Sequence, residues 1–173
     1  VYTPSKNKKN IGTRWVYKIK PLEDNKNLYK ARLVAQGFSQ KFPDDYIDTV
    51  RAESVKTALV IASILNEHVY QFDVQTAYLH APLDKELYVR APPGIDCNEG
   101  KTWLLNKSLY GVQQSGKRWY DCPSKILKLI DFTATSSDKC VFIKREQGIC
   151  EKVLAYVDDI LYICKSKFKC DQF

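Results

Sequence analysis

Apolar and polar positions alternate weakly through Trp15-Val16-Tyr17-Lys18-Ile19-Lys20, and turn formers fill Pro21 to Asn27. Leu28 to Gly37, with the apolar run Leu33-Val34-Ala35, predicts the returning strand of a β-hairpin. Its polar face would carry Lys18, Lys30 and Arg32, the last two sharing a face because they are two residues apart. Phe38 to Val50 predicts a loop turning at Pro43-Asp44-Asp45. Ser54 predicts a helix cap, and Val55, Ala58, Leu59, Ala62 and Leu65 recur at helical spacing up to about Asn66, which predicts a helix lying against a core. Val69 to Val74 predicts a strand with Asp73 near its C-terminal end, and Gln75 to Leu79 a tight return or short helical turn. Leu87-Tyr88-Val89 predicts a strand closed by Pro92-Pro93-Gly94, and Trp103 to Leu109 a hydrophobic connector. Trp119, Cys122, Ile126, Leu129 and Ile130 share one helical face, with Trp119 assigned to the core. Pro123 lies inside that pattern without an N–H, which predicts a kink or a restarted helix. Cys140 to Ile143, Val153 to Val157 and Ile160 to Ile163 predict strands. Helices mix with antiparallel strands and no βαβ repeat emerges, so the fold class expected is α+β.

The last two strands change the picture. Asp158-Asp159 interrupts two β-prone runs where a tight turn fits, and turns favour Asp on their own account. Asp73, far upstream, also ends an apolar strand. If the strands are neighbours, three carboxylates meet at one end of a sheet, at an electrostatic cost that cations would offset. Hard divalent cations prefer such oxygens. The arrangement points to metal-assisted phosphoryl or nucleotidyl transfer, which needs no histidine or cysteine nucleophile.

Charge fits that chemistry. The chain has 173 residues, with 27 Lys and Arg against 20 Asp and Glu, a net +7 that favours a polyanionic partner. Cations crowd the first quarter, and Lys117 and Arg118 follow the Leu109-Tyr110-Gly111 segment, where they would track template phosphates without reading sequence. Six cysteines form no CxxC pair and only His68 and His80 could join them, which argues against zinc. No apolar leader or membrane-length span is present in the sequence, so reduced thiols, an intracellular setting and no membrane partner are expected.

Five blocks in order resemble the reverse transcriptase of copia-like (Pseudoviridae-type) long-terminal-repeat retrotransposons, of the fungal kind in particular. They are Tyr29-Lys30-Ala31-Arg32-Leu33-Val34-Ala35-Gln36-Gly37, Tyr70-Gln71-Phe72-Asp73-Val74-Gln75-Thr76-Ala77-Tyr78-Leu79, Leu87-Tyr88-Val89-Arg90-Ala91-Pro92-Pro93-Gly94, the stretch from Leu105 to Gly116, and Tyr156-Val157-Asp158-Asp159. The resemblance implies a right-hand polymerase, with an antiparallel palm sheet, flanking helices and fingers. On that basis residues 1–50 form an N-terminal arm and fingers hairpin, 51–165 the palm with interleaved fingers elements, and 166–173 a truncated tail. The whole is treated as one domain fragment over 11–173, with the thumb absent because the sequence ends fourteen residues after Asp159.

The activity implied is RNA-directed and DNA-directed DNA polymerisation onto a primer 3′-hydroxyl, with Mg2+ (or Mn2+) and deoxynucleoside triphosphates. The partner is an RNA or DNA template with a base-paired primer; polyprotein or capsid partners are implied too. By motif position, Asp73 and Asp158 are the main metal ligands, Asp159 holds surrounding geometry or joins a metal transiently, and the Val74 carbonyl faces the nucleotide-side ion. Tyr78 is implied to exclude a ribose 2′-hydroxyl, with Gln75, Thr76 and Ala77 near the triphosphate and Lys30 and Arg32 neutralising pyrophosphate. Gly111 is implied to allow close approach to the nascent base pair, and Gln114 and Ser115 to contact nucleotide or template. A complete element would copy itself in cytoplasmic virus-like particles, with integration in the nucleus.

Two departures stand out. Arg51-Ala52-Glu53-Ser54 replaces the apolar, proline-containing entry usual before the first palm helix, and Cys122-Pro123 interrupts a run of helix formers. A proline inside a helix costs about 3 kcal/mol. The rival expectation is therefore a catalytically silent nucleic-acid-binding relic of a retrotransposon polyprotein.

Overall fold

The alternating segment after Gly12 pairs with itself as its pattern predicts. In the computed structural model, which describes residues 10–40, 49–95 and 102–173, β1 (Thr13–Pro21) and β2 (Asn27–Ala35) form a two-stranded antiparallel ribbon. The expected turn at 43–45, Cys97 and the lysines at 6, 8, 9 and 41 lie outside the described residues.

The chain divides into two units: Val1–Tyr46 with Tyr78–Arg118, and Ile47–Ala77 with Trp119–Phe173. In the first unit, β4 (Tyr88–Val89) pairs with β5 (Trp103–Leu104), so the predicted connector contributes a short strand. Ile11, Ala35, Leu87, Val89, Leu109 and Val112 form this unit's core. The ribbon is held at its base by Thr13 Oγ1 donating to the Arg90 carbonyl and by Trp15 Nε1 donating to the Pro93 carbonyl. Gly111 sits at φ 87°, and a Cβ there would press on the Ala35 carbonyl oxygen. Main-chain bonds from Ala35 N to Tyr110 O and from Gly37 N to Gly111 O account for that closeness.

The second unit is an antiparallel sheet in the order β3-β9-β8-β7-β6 with helices on its two faces, the α+β arrangement expected. Its strands are β3 (His68–Asp73), β6 (Thr133–Ala134), β7 (Val141–Glu146), β8 (Ile149–Tyr156) and β9 (Asp159–Cys164). Strand alternation gives the sheet two apolar faces. Leu154 and Ile163 pack with Ala58 and Ala62 of α1 (Ala52–Leu65). Phe142, Val153 and Tyr162 pack with Leu127 of α2 (Ser115–Leu129) and Cys170 of α3 (Lys167–Gln172). Each large apolar side chain fully buried in these layers contributes about 1.5–3 kcal/mol.

Several expectations are corrected. The N-cap of α1 is Arg51, not Ser54, and no side chain caps it. Ser54 lies inside the helix, where its hydroxyl donates to the Asp138 carboxylate at 2.6 Å. The small residues Ala58 and Ala62 make the close approach to the sheet, which leaves Leu59 and Leu65 exposed. On α2 the buried apolar residue is Leu127, while Ile126 and Leu129, and Ile130 just beyond the helix, are exposed. Helix α2 does not restart at Pro123 but runs unbroken from Ser115 to Leu129. Trp119 is only half-buried, because its indole reaches the β8–β9 turn. The tail at 166–173 forms α3, capped by the Ser166 hydroxyl accepting from Lys169 N.

Helix α3 is lashed down by a polar chain inside an apolar layer. Tyr162 Oη donates to Glu151 at 2.5 Å, Lys169 Nζ donates to the other Glu151 oxygen at 2.6 Å, and the Phe173 ring stacks on Tyr162 at 4.1 Å. Burial, then the hydrogen bond to Glu151, pushes the Tyr162 phenol well above its usual range. Burial likewise pushes the Cys170 thiol up to about 11, and Cys122, Cys140, Cys150, Cys164 and Cys170 are reduced thiols.

Candidate active site

Sheet register brings the acidic positions together. Asp73, the last residue of β3, is the cross-strand partner of Asp159, the first residue of β9. Tyr156 pairs with Asp159 across the hairpin, leaving Val157 and Asp158 as its two-residue turn. The Val74 N–H donates to the Asp158 carbonyl at 2.6 Å, which ties the chain after β3 to that turn. Cross-strand partners project from the same sheet face, so Asp73 and Asp159 share one. Gln71, two residues before Asp73, also lies on that face and donates from Nε2 to Asp159 Oδ1 at 3.0 Å.

The backbone is strained on both sides of this cluster. Val157 lies at φ 47° and Thr76 at φ 53°, both β-branched residues in left-handed conformation. Each such residue costs about 1–3 kcal/mol and persists only where its surroundings hold it. For Val157 the hold is visible: Trp119 Nε1 donates to its carbonyl at 2.7 Å. For Thr76 the hydroxyl bonds locally to the Gln75 carbonyl at 2.7 Å. Trp119→Phe keeps an aromatic ring, though a smaller one, and removes that N–H, worth about 1 kcal/mol. Amide exchange at residues 157–159 should then accelerate about fivefold. Hydrogen–deuterium exchange of the two proteins reads this directly, and equal rates would limit Trp119 to packing.

The donor chemistry of three aspartates suits a hard divalent cation. Among the described residues, however, no group of three or more His, Cys, Asp or Glu side chains is gathered to hold a metal ion as it stands. Asp159 is engaged by Gln71, and the Asp158 direction is set by the turn rather than by the ladder. On the Asp159 side of the sheet, a groove of about 560 Å³ runs between α1 and the strands, lined by Val55, Leu59, Val69, Leu161, Tyr156 and Gln71 among others.

The remaining sequence-identified residues fall in both units. Ala77 is fully buried, while Gln75 and Thr76 are exposed in the turn after Val74. In the first unit, Tyr78 meets Tyr110 edge to face at 4.8 Å, and the Arg32 guanidinium lies 5.4 Å from the Tyr110 ring centroid. A cation over an aromatic face gains about 0.5–1 kcal/mol at an exposed site, so Arg32 is steered where Lys30, two residues earlier and solvated, is not. Ser115 Oγ donates to the Leu109 carbonyl at 2.8 Å. Gln114 is the unusual residue: it is fully buried, yet neither amide atom has a hydrogen-bond partner among the described residues. Each unmet buried polar group costs about 1–3 kcal/mol, so this amide is a standing demand for water or a ligand.

Sequence reasoning missed Gln71 and Trp119 as groups acting on the site. The period of two could have found Gln71, since it shares Asp73's face. Nothing local signals the Trp119 bond, which spans 38 residues.

The full chain, residues 1–173, matches the family described as reverse transcriptase (RNA-dependent DNA polymerase). It is 38% identical over 170 residues to a retrovirus-related Pol polyprotein from transposon TNT 1-94 of Nicotiana tabacum, covering 94% of this chain and 13% of the relative. It is 33% identical over 158 residues to the Pol polyprotein from transposon RE1 of Arabidopsis thaliana, covering 87% of this chain and 11% of that one. A transposon Ty1-BL Gag-Pol polyprotein of Saccharomyces cerevisiae is 37% identical over 144 residues, 80% of this chain and 8% of the relative. The chain thus spans about an eighth or less of these proteins, and no solved structure matches it. By sequence along its whole length, the chain belongs to the reverse transcriptase family and is related to the Pol polyproteins of plant and yeast retrotransposons.

Proposed function

We propose that the chain is the fingers and most of the palm of a retrotransposon reverse transcriptase, copying RNA and DNA templates by adding deoxynucleotides to a primer 3′-hydroxyl. The observation that supports this most is the pairing of Asp73 with Asp159 at the sheet end that also carries Asp158. Asp73 and Asp158 are the principal ligands for Mg2+ (or Mn2+), with the Val74 carbonyl beside them. Asp159, engaged by Gln71, orients the pair. Bound there, divalent cations supply a lowered pKa for the primer hydroxyl and neutralise charge on the departing pyrophosphate.

The other roles follow from motif position. Arg32, steered by Tyr110, and Lys30 bind triphosphate oxygens, with Gln75, Thr76 and Ala77 supplying backbone nearby. Tyr78, backed by Tyr110, obstructs a ribose 2′-hydroxyl. Gln114 offers its unmet amide to the nucleotide, and Gly111 and Ser115 shape the backbone around it. Base pairing selects the nucleotide, so the protein grips shape and phosphate rather than sequence.

Primer extension on matched RNA and DNA templates tests the proposal. Product should form with Mg2+, vanish with a chelator, and return on adding excess Mg2+ or Mn2+. Folded, primer-bound protein that extends nothing under either ion would select the silent nucleic-acid-binding reading instead.

A further inference from the structure

Two thiols meet beneath α3. Cys164 is the last residue of β9 and Cys170 lies on α3, and neither takes part in the reaction proposed above. Both are buried, at 0% and 3% exposure, in the same apolar layer. The Cys170 thiol donates to the Cys164 carbonyl at 3.9 Å, and Ser166 N donates to the Cys164 sulfur at 3.4 Å. Burial and then the neighbouring Cys164 sulfur, by charge and by hydrogen bond, keep the Cys170 proton in place, so the two side chains are in contact. Cys140, also buried, belongs to the layer on the opposite face of the sheet.

Buried cysteines ordinarily act as small apolar side chains and stay inert because no reagent reaches them. This pair differs in its cover. Cys170 rides on α3 itself, a helix of 6 residues. The helix is fastened by Lys169 to Glu146 and Glu151 and by the Tyr70 hydroxyl to Asp171, the Glu146 and Asp171 bonds being exposed to water. Short peripheral elements held this way open far more readily than the sheet beneath them. Opening α3 lifts Cys170 and uncovers Cys164 in one movement. Contact between the two side chains in the closed form is the precondition for a disulfide that leaves the backbone in place.

We propose that Cys164 and Cys170 form a hydroperoxide-sensitive switch that locks α3 onto the sheet. Cys164 is the attacking sulfur, because the Ser166 N–H steadies negative charge on it. It attacks the peroxide, the O–O bond breaks, an alcohol or water leaves with the thiol's proton, and Cys164 becomes a sulfenic acid. The Cys170 sulfur then attacks, the S–O bond breaks, the S–S bond forms, and water leaves with the second proton. The two thiols together lose two electrons, which the hydroperoxide gains. A small thiol reverses the bridge by exchange and is itself oxidised to its disulfide. In the dithiol form α3 can lift. In the disulfide form Cys170 is tethered to β9, which keeps Phe173 against Tyr162 and Phe72. Cys164 is at the opposite end of β9 from Asp159, so the lock needs nothing from the metal-binding positions.

Peroxide treatment of the full, reduced chain, followed by alkylation and peptide mapping by mass spectrometry, tests this. The expected product is a Cys164–Cys170 bridge that dithiothreitol removes, with Cys122, Cys140 and Cys150 alkylated. Amide exchange in α3 should slow at least about tenfold on oxidation and recover on reduction. Lys169→Gln, which frees the helix from Glu146 and Glu151, should speed bridging about tenfold, because opening controls access. Cys170→Ala should leave a sulfenic acid on Cys164 that dimedone captures, and Cys164→Ala should leave Cys170 unlabelled. Circular dichroism confirms that each variant is folded. Folded protein that resists peroxide, bridges either residue to a different cysteine, or passes to sulfinic acid unbridged overturns the switch. A bridge that leaves α3 exchange unchanged overturns the lock, and an unchanged rate in Lys169→Gln overturns control by opening. Asp73→Asn should bridge at the native rate whether or not the chain extends a primer, which keeps the two readings apart.

Discussion

Asp73→Asn should lower primer extension by at least about a thousandfold, equivalent to about 4 kcal/mol of transition-state stabilisation. The amide occupies the same volume but cannot serve as an anionic ligand, so the principal cation contact on β3 is lost. The expected change in stability has the opposite sign. Asp73 faces Asp159 across the ladder, and like charges directly opposite destabilise a sheet by some tenths of a kcal/mol. Removing one should leave the urea midpoint unchanged or slightly raised. Extension kinetics and urea unfolding on one preparation read both effects. Undiminished extension would remove Asp73 from the chemistry, and a lowered midpoint would mark it as structural.

Asp138→Ala should be the most destabilising of the changes considered, by about 3 kcal/mol, because it strands several donors at once. Asp138 Oδ2 accepts from Arg51 N at 3.0 Å and Ser54 Oγ at 2.6 Å, and Oδ1 accepts from Cys140 N at 3.0 Å. One carboxylate thereby fixes the start of α1 and the entry to β7. Burial pushes its pKa upward, but the bonds from Ser54, Arg51 N and Cys140 N outweigh it, and the carboxyl lies below its ordinary value. A depressed folded-state pKa means stabilisation that is full above the unfolded value, near about 4. It is lost as pH falls through that value toward the folded one. The stability gap between native and variant protein should therefore be constant from neutral pH down to about 5 and narrow below about 4. Denaturant unfolding across that range checks it, and a gap independent of pH would show that the carboxylate charge contributes nothing.

Strand-period segments were the most legible part of the fold. Residues 15–20 and 28–35 gave a hairpin, and the runs flanking Asp158-Asp159 gave β8 and β9, because alternation and β-branched composition agree there. Helix details were less legible. Ser54 has the chemistry of a cap, but its hydroxyl is drawn to Asp138, 84 residues away, and no local signal encodes that choice. Leu59 and Leu65 fit helical spacing, yet the close approach uses Ala58 and Ala62, since small side chains let the helix axis near the sheet. Ile126 and Leu129 misled in the same way. The site's acidic positions could be read from strand ends, because both Asp73 and Asp159 terminate β runs. Strain at Val157 and Thr76 could not, since β-branched residues argue against left-handed backbone wherever they occur.

The two-residue length of the bend between Tyr156 and Asp159 fixes a parity. A residue added or deleted there while the bend stayed two residues long would send every β9 side chain to the reverse side of the ladder. Asp159 would then leave the side occupied by Asp73, and Tyr162 would leave Glu151 and Phe173. A single-residue change at this bend is thus tolerable only where the loop itself lengthens to absorb it, as a three-residue hairpin loop does.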